Sequence, residues 1–224
     1  MLPPVATIAI TGANRGIGLE LCRQLRARGD EVIALCRTAT EALRETGARV
    51  EEGIDVADDG VVEVLRRRLE GVELGAVINN AGILCNERLD DLSWDRIRRQ
   101  FEINALGPLR VTSAVLPLMR SGSKVVIVTS RMGSIADNTS GSRYGYRMSK
   151  VAVNMAGVSL ARDLESRGIA VGLVHPGFVR TEMTGHNGMI DPPEAAAGII
   201  ARMDALDLAS SGTFWHQNGD RLPW

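Results

Sequence analysis

Cysteine, tyrosine and net charge are all scarce in this 224-residue chain, and each scarcity closes off a class of function. The three cysteines, Cys22, Cys36 and Cys85, are odd in number, and none stands in a CxxC or CxxH spacing. That pattern argues against a disulfide framework and against a zinc site or any other metal, and it suits a reducing cytosol. A formal charge of −1 leaves no footprint for nucleic acid or an anionic membrane. The one basic run, Arg66 to Arg68, reads as a solvated helix face. No stretch approaches the roughly 18 apolar residues that span a bilayer. The opening "MLPPVATIAITG" has no basic start and no long apolar run, so it reads as a short buried strand and not as a signal peptide. Repeats, low-complexity tracts and flexible linkers are also missing. The expectation is one cytoplasmic domain over residues 1–224, long enough for a single large core.

What the chain does have is alternation. Short apolar runs at 5–10, 31–36, 48–54, 75–80, 124–130, 168–174 and 212–216 read as strands. Helical patterns lie between them: one ending near Gly29, one at 61–69, a long one from Trp94 to Met119 with Pro117 as a boundary or kink, and one at 144–166. Several strands are apolar at nearly every position, as strands buried on both faces of a parallel sheet are. The expected fold is therefore α/β, a Rossmann-type doubly wound domain with a mainly parallel sheet of about seven strands flanked by helices. Residues 182–193 read as a loop, a candidate lid.

"TGANRGIG", Thr11 to Gly18, falls between the first strand and the first helix. Gly12, Gly16 and Gly18 let a backbone approach a pyrophosphate closely, and the helix N-terminus offers free N–H groups to it. Folds that use NAD carry an acid about 20 residues later to meet the ribose hydroxyls. Here Cys36 and Arg37 stand there instead, and Arg15 sits inside the turn. Two guanidiniums and no carboxylate suit a 2′-phosphate, at ~1.5–3 kcal/mol for each charged hydrogen bond, so the expected cofactor is NADP(H).

Both tyrosines of the chain lie in "YGYRMSK". Residues four apart share a helix face, so Tyr146 and Lys150 can meet, whereas Tyr144 points elsewhere. A phenol has a pKa of about 10. An ammonium about 4 Å away is worth about 4 kcal/mol at an effective dielectric of 20, and desolvation works in the opposite direction. A phenol tuned in this way could exchange a proton near neutral pH.

With these two features in hand, the chain resembles the short-chain dehydrogenase/reductase family along nearly its whole length. The markers run in order: Thr11–Gly18, "NNAG" at Asn79–Gly82, Asn104 in "INALGP", Ser130 after the fifth strand, Tyr146–Lys150, and Pro176–Gly177 followed by Thr181. The "YGYRMSK" segment and the ending "NGDRLPW" are most similar to the C-factor and sniffer-like carbonyl reductases. The resemblance implies a catalytic set of Asn104, Ser130, Tyr146 and Lys150. Tyr146 would be the acid or base and Ser130 would bind the substrate oxygen. Lys150 would hold the ribose and lower the phenol's pKa, and Asn104 would anchor a water. It also implies a cofactor-binding set of Gly12, Asn14, Arg15, Gly16, Ile17, Gly18, Arg37, Asp55, Val56, Asn80, Ala81, Gly82, Tyr146, Lys150, Pro176, Gly177, Val179 and Thr181. The implied activity is hydride transfer between NADP(H) and a small carbonyl or alcohol substrate, in a homodimer or homotetramer built on the two long helices.

Two departures stand out. The family's serine usually lies about thirteen residues before its tyrosine, and here Gly133 occupies that place. Ser130 is preferred because it directly follows a strand and precedes a glycine by three residues; Ser134 is the alternative. The segment after Thr181 is short, which suggests an open pocket. Arg131, Arg143 and Arg147 read as subunit-contact or solvated residues ahead of an anion-binding reading. Trp94 is expected to staple a helix start, and Trp215 and Trp224 to pack the tail or an interface. A different class of function, a cofactor-binding sensor or signalling protein, fits the same motifs; a nucleotide-sugar epimerase of the extended branch does not fit so short a chain.

Overall fold

The structure is a computed structural model and describes residues 6–224. Val5, the first residue of the expected opening strand, lies outside them. Seven strands form one all-parallel sheet: β1 (Thr7–Thr11), β2 (Glu31–Leu35), β3 (Arg49–Glu51), β4 (Leu74–Asn79), β5 (Met119–Val128), β6 (Ala170–His175) and β7 (Thr213–His216). Their spatial order is β3-β2-β1-β4-β5-β6-β7. The order reverses between β1 and β4, and such a switch point opens a crevice at the carboxyl ends of the strands.

Around the sheet run α1 (Gly16–Arg28), α2 (Glu41–Arg44), α3 (Val61–Arg68), α4 (Trp94–Phe101), α5 (Gly107–Val115), α6 (Tyr144–Leu164) and α7 (Pro192–Ala205). Successive strand residues point to opposite faces. Ala9, Ile33, Val77, Val125 and Val171 therefore pack on one side with Leu65, Val111, Val115, Val153 and Leu164 from α3, α5 and α6. Ile8, Ile10, Val32, Ala34 and Ile78 pack on the other with Leu21, Leu25, Ile199 and Met203 from α1 and α7. Each large aliphatic side chain fully buried this way contributes about 1.5–3 kcal/mol.

The structure departs from the sequence expectation in several places, the short α2 among them. The long helix expected from Trp94 to Met119 is broken: α4 passes into a π-helical turn at Glu102–Leu106, then into α5, and ends in a 3-10 turn at Leu116–Leu118 beside Pro117. Pro108 supplies the reason for the first break, because it has no N–H to offer the carbonyl of Asn104 four residues back. β5 begins five residues early, Met119 pairing with Leu74 ahead of a register shift. α7 was not anticipated; it lies against α1, where Gln24 Nε2 donates to Pro193 O at 2.9 Å and Arg28 pairs with Asp204 at 2.7 Å. Trp94 is 63% exposed, so it staples nothing, whereas Trp224 stacks on Phe214 with ring centroids 5.4 Å apart.

Candidate active site

A cleft of about 630 Å³ opens at the carboxyl ends of the central strands. Its phosphate-facing wall is the glycine turn. Gly12 has φ +64°, and a Cβ there would meet Ala81 Cα at 2.8 Å. A Cβ on Gly18 would meet Gly12 O at 2.2 Å, so only glycine lets the turn fold onto β4. Asn80 braces that turn, its Nδ2 donating to Thr11 O at 3.0 Å and Gly12 O at 3.2 Å. Thr11 Oγ1 returns the contact by accepting from Asn80 and Ala81 N–H at 3.0 Å each. α1 has no side-chain cap and no acid in its first turn, so its free N–H groups face the cleft without a built-in anion.

Sixteen of the expected cofactor residues line this cleft: Gly12, Asn14, Arg15, Gly16, Ile17, Gly18, Arg37, Asp55, Val56, Asn80, Ala81, Gly82, Tyr146, Lys150, Pro176 and Thr181. Gly177 and Val179 do not. Gly177 is pressed on Ile190, and Val179 pairs its backbone with the same residue, so both shape the turn from behind. The end of β2 contributes Cys36 and Arg37. Burial and the nearby Glu52 push the Cys36 thiol up, away from thiolate. Glu52 itself is engaged by Ala39 N–H and Arg44, both at 2.8 Å. Asp55 is partly buried, which works to raise its pKa, but the Ala57 N–H and Arg99 hold it below the usual carboxylate range. Arg15 is paired with Glu182, a cleft residue the sequence reading did not single out.

Tyr146 and Lys150 stand side by side on α6, the ammonium 5.7 Å from the phenol ring centroid. Tyr144, two residues earlier, lines a separate surface hollow with Ser134 and Arg147. Lys150 Nζ donates to Val128 O at 3.0 Å, and burial lowers its pKa to about 8. Burial is also the largest influence on Tyr146 and raises it; the Ser130 hydroxyl and the charge of Arg143 act the other way. Lys150 is not among the influences on the phenol, so the expected lowering is not found: the same desolvation that raises the phenol discourages the charge on the lysine.

Ser130 and Asn104 do not line the cleft itself. Ser130 Oγ accepts from Met132 N–H at 3.1 Å while lying within reach of the phenol; Ser134 Oγ instead accepts from Asp137 N–H at 3.1 Å. A Cβ on Gly133 would lie 2.8 Å from the backbone carbon of Lys150. Asn104 is 1% exposed and its carboxamide is spent: Nδ2 donates to Ile83 O at 2.9 Å and Ser149 Oγ at 3.0 Å, and Oδ1 accepts from Ile83 N–H at 2.9 Å. Ser149 Oγ in turn donates to Tyr146 O at 2.8 Å. Asn154, one turn past Lys150, takes the Thr129 hydroxyl at 2.6 Å and donates to Gly133 O at 3.1 Å.

The sequence profile of the short chain dehydrogenases matches residues 6–189, across this cleft and all its walls. The chain belongs to that family. Among curated short-chain dehydrogenases and their kin it is 46% identical over 226 residues to 1-hydroxy-2-glutathionyl-2-methyl-3-butene dehydrogenase of Rhodococcus sp. (strain AD45), covering 98% of this chain and 100% of that one. It is 46% identical to C-signal of Myxococcus xanthus, over 66% of this chain and 91% of that one. Among solved structures it superposes on NADPH-bound carbonyl reductase from chicken fatty liver with a TM-score of 0.88 at 27% identity, covering 98% and 99% of the two chains. The Drosophila melanogaster carbonyl reductase Sniffer gives 0.87 at 28%, covering 98% and 100%. As a short-chain dehydrogenase the chain is an oxidoreductase, and no helix among its described residues is long and apolar enough to cross a membrane.

Sequence reasoning passed over several residues that build the site. Thr11, Asn154 and Ser149 act through hydrogen bonds that span 25 to 70 positions, which no local spacing reveals. Thr38, Ile54, Ile83, Ile103, Val128, Thr129 and Met183 complete the lining. The residues after Thr181 form a short 3-10 turn, Glu182–Thr184, in place of a long lid.

Proposed function

We propose that this chain is an NADP(H)-dependent oxidoreductase that interconverts a small carbonyl compound and its alcohol, with Tyr146 as the acid–base group. The observation that carries the reading is the buried Tyr146–Lys150 pair facing the glycine-lined cleft at the sheet's switch point. The cleft fits a dinucleotide, since its glycines leave room where any Cβ would collide and its first helix is uncapped. Bound there, the dinucleotide supplies or accepts the hydride. Tyr146 Oη holds the proton that the substrate oxygen gains or loses. The Ser130 hydroxyl is the second donor for that oxygen. Lys150, fixed through one N–H by Val128, has two more for ribose hydroxyls. Asn104 positions: its carboxamide fixes Ile83 and Ser149, and its carbonyl, to which Pro108 has no N–H to give, is the acceptor for a water.

Cys36 in place of an acid, and Arg37 beside the cleft with no carboxylate partner among the described residues, support NADP(H) over NAD(H). The chicken liver structure is described as NADPH-bound, which supports the same preference. Met148 and Met155, exposed seven residues apart on α6, support a homodimer or homotetramer built on that helix.

The test is Tyr146→Phe. Turnover of aldehydes with NADPH should fall on the order of 10²- to 10⁴-fold while NADPH still binds. A variant as fast as the parent would falsify the reading.

The M. xanthus relative, named C-signal, favours a second reading as a signalling protein whose turnover is incidental. A screen of aldehydes, ketones, quinones and alcohols separates the two. Tight NADPH binding with no turnover of any of them selects the second.

A further inference from the structure

Three arginines flank the start of α6, and the structure treats them differently. Arg131 is paired with Asp137 at 2.6 Å. Arg147 turns back to the preceding loop, donating to Ser140 Oγ at 2.9 Å and Ser142 O at 3.2 Å. Arg143 is held on strained backbone. It and Ser142 are consecutive non-glycine residues in the left-handed region, with φ 53° and 66°. That turn is fixed from below, since Arg143 N–H donates to the carbonyl of buried Glu87 at 2.7 Å. Strain of this kind persists where the surroundings over-determine it, and it concentrates at functional sites.

The side chain so displayed is exposed and makes one hydrogen bond, from Nε to Asn86 Oδ1 at 3.0 Å. Both Nη groups, with four N–H donors, are left over. No carboxylate of the described residues pairs with it. Glu87, anchored beneath it, turns its carboxylate inward to Gln100 Nε2 at 2.7 Å, and its other oxygen has no partner. Arg143 stands at the N-cap of α6, three residues ahead of Tyr146 and near enough for its charge to favour the ionised phenol. A solvated surface cation needs neither the strained backbone nor this proximity. Exposed apolar side chains follow Pro176 in the chain: Phe178, Met183 and Met189, with Met183 lining the cleft.

We propose that Arg143 is a substrate anchor: it takes a carboxylate on a molecule with an apolar body, whose carbonyl or hydroxyl then meets Tyr146. The proposal rests on the oxidoreductase reading of Tyr146. It makes the substrate class anionic, recognised by the free guanidinium fork.

The test uses the full chain with NADPH and a matched pair of aldehydes, 4-carboxybenzaldehyde and its neutral methyl ester, methyl 4-formylbenzoate. The parent should prefer the carboxylate in kcat/KM. Arg143→Gln should reduce that preference roughly 10- to 100-fold, mostly through KM, and Arg143→Lys should restore part of it. The preference should also shrink with added salt. An equal loss on both aldehydes, or an unchanged ratio, overturns the proposal. Calorimetric binding of 4-carboxybenzaldehyde to the NADP⁺ complex judges the anchor separately from turnover. Weaker binding by Arg143→Gln in a protein that reduces neither aldehyde would keep the anchor and reject the oxidoreductase reading. Equal binding by parent and variant, or none to the parent, rejects the anchor.

Discussion

Glu182 is ion-paired with Arg15, tying the turn after Thr181 to the glycine loop across the mouth of the cleft. Both residues line the cleft, and their side chains are 59% and 63% exposed. A dinucleotide brings phosphates to this wall, so Glu182 and the ligand compete for one guanidinium. An exposed pair of this kind is worth ~0–1 kcal/mol. Glu182→Gln should therefore tighten NADPH binding by up to about 5-fold, read by fluorescence titration at low salt, and the gain should fade at high salt. Weaker binding in the variant would show that the pair holds the cleft in its binding shape instead.

Arg37 stands apart from this pair. It lines the cleft beyond β2 and has no carboxylate within ion-pairing distance among the described residues, whereas Glu52 next to it is already engaged. If Arg37 meets a 2′-phosphate, its loss removes a charged hydrogen bond of ~1.5–3 kcal/mol. Arg37→Ala should then weaken NADPH about 10-fold or more and leave NADH within about 2-fold. Equal weakening of the two dinucleotides would place the arginine on the shared part of the molecule and remove the argument for NADP(H).

Gly133 lies against the backbone of Lys150, and this contact leaves no room for a serine side chain thirteen residues ahead of Tyr146. A Cβ at 133 would come within 2.8–2.9 Å of Lys150 C, Cβ and O. Neither partner can yield, because Asn154 ties Gly133 O to the same helix. Gly133→Ser should lower the melting temperature and displace Lys150, with loss of both stability and turnover. Ser130→Ala should keep the parent's melting temperature and lose turnover alone. If Gly133→Ser gained activity instead, Ser130 would not be the serine that meets the substrate.

The strands were legible because burial on both faces writes continuous apolar runs, and β2, β4, β5 and β6 lie where such runs occur. Tyr146 and Lys150 were legible because four-residue spacing on a helix is a local property. The break at Asn104 was less so. The pattern from Trp94 to Met119 is amphipathic throughout, and Pro117 drew attention that Pro108 also warranted. Helix α7 hid behind its paired prolines, which fell at the end of the expected loop at 182–193, and its short alanine-rich face drew no reading. The protonation balance at Tyr146 could not be read at all. It depends on how deeply two side chains are buried, and desolvation, not their separation, proved the larger influence.

His175 ends β6 beside the cleft and carries a pH signature of its own. Burial, with the charges of His216, Arg131 and Lys150 nearby, lowers its pKa to about 3, and its Nδ1 has no partner. In the unfolded chain a histidine titrates near 6.5. Between those values the unfolded state binds the extra proton, so stability rises with pH across the window and is lost as pH falls from about 6.5 toward 3. The slope from one such group reaches ~1.4 kcal/mol per pH unit. His175→Met, non-titrating and of similar bulk, should flatten the dependence of unfolding free energy between pH 4.5 and 6.5, whatever its absolute stability. Carboxylates held low, such as Asp55, Asp191 and Asp207, add a slope of their own below about pH 5 as their unfolded forms protonate, but parent and variant share it, so the difference between the two slopes isolates His175. An unchanged slope in urea titrations across the range would mean that His175 takes up its proton in the folded state.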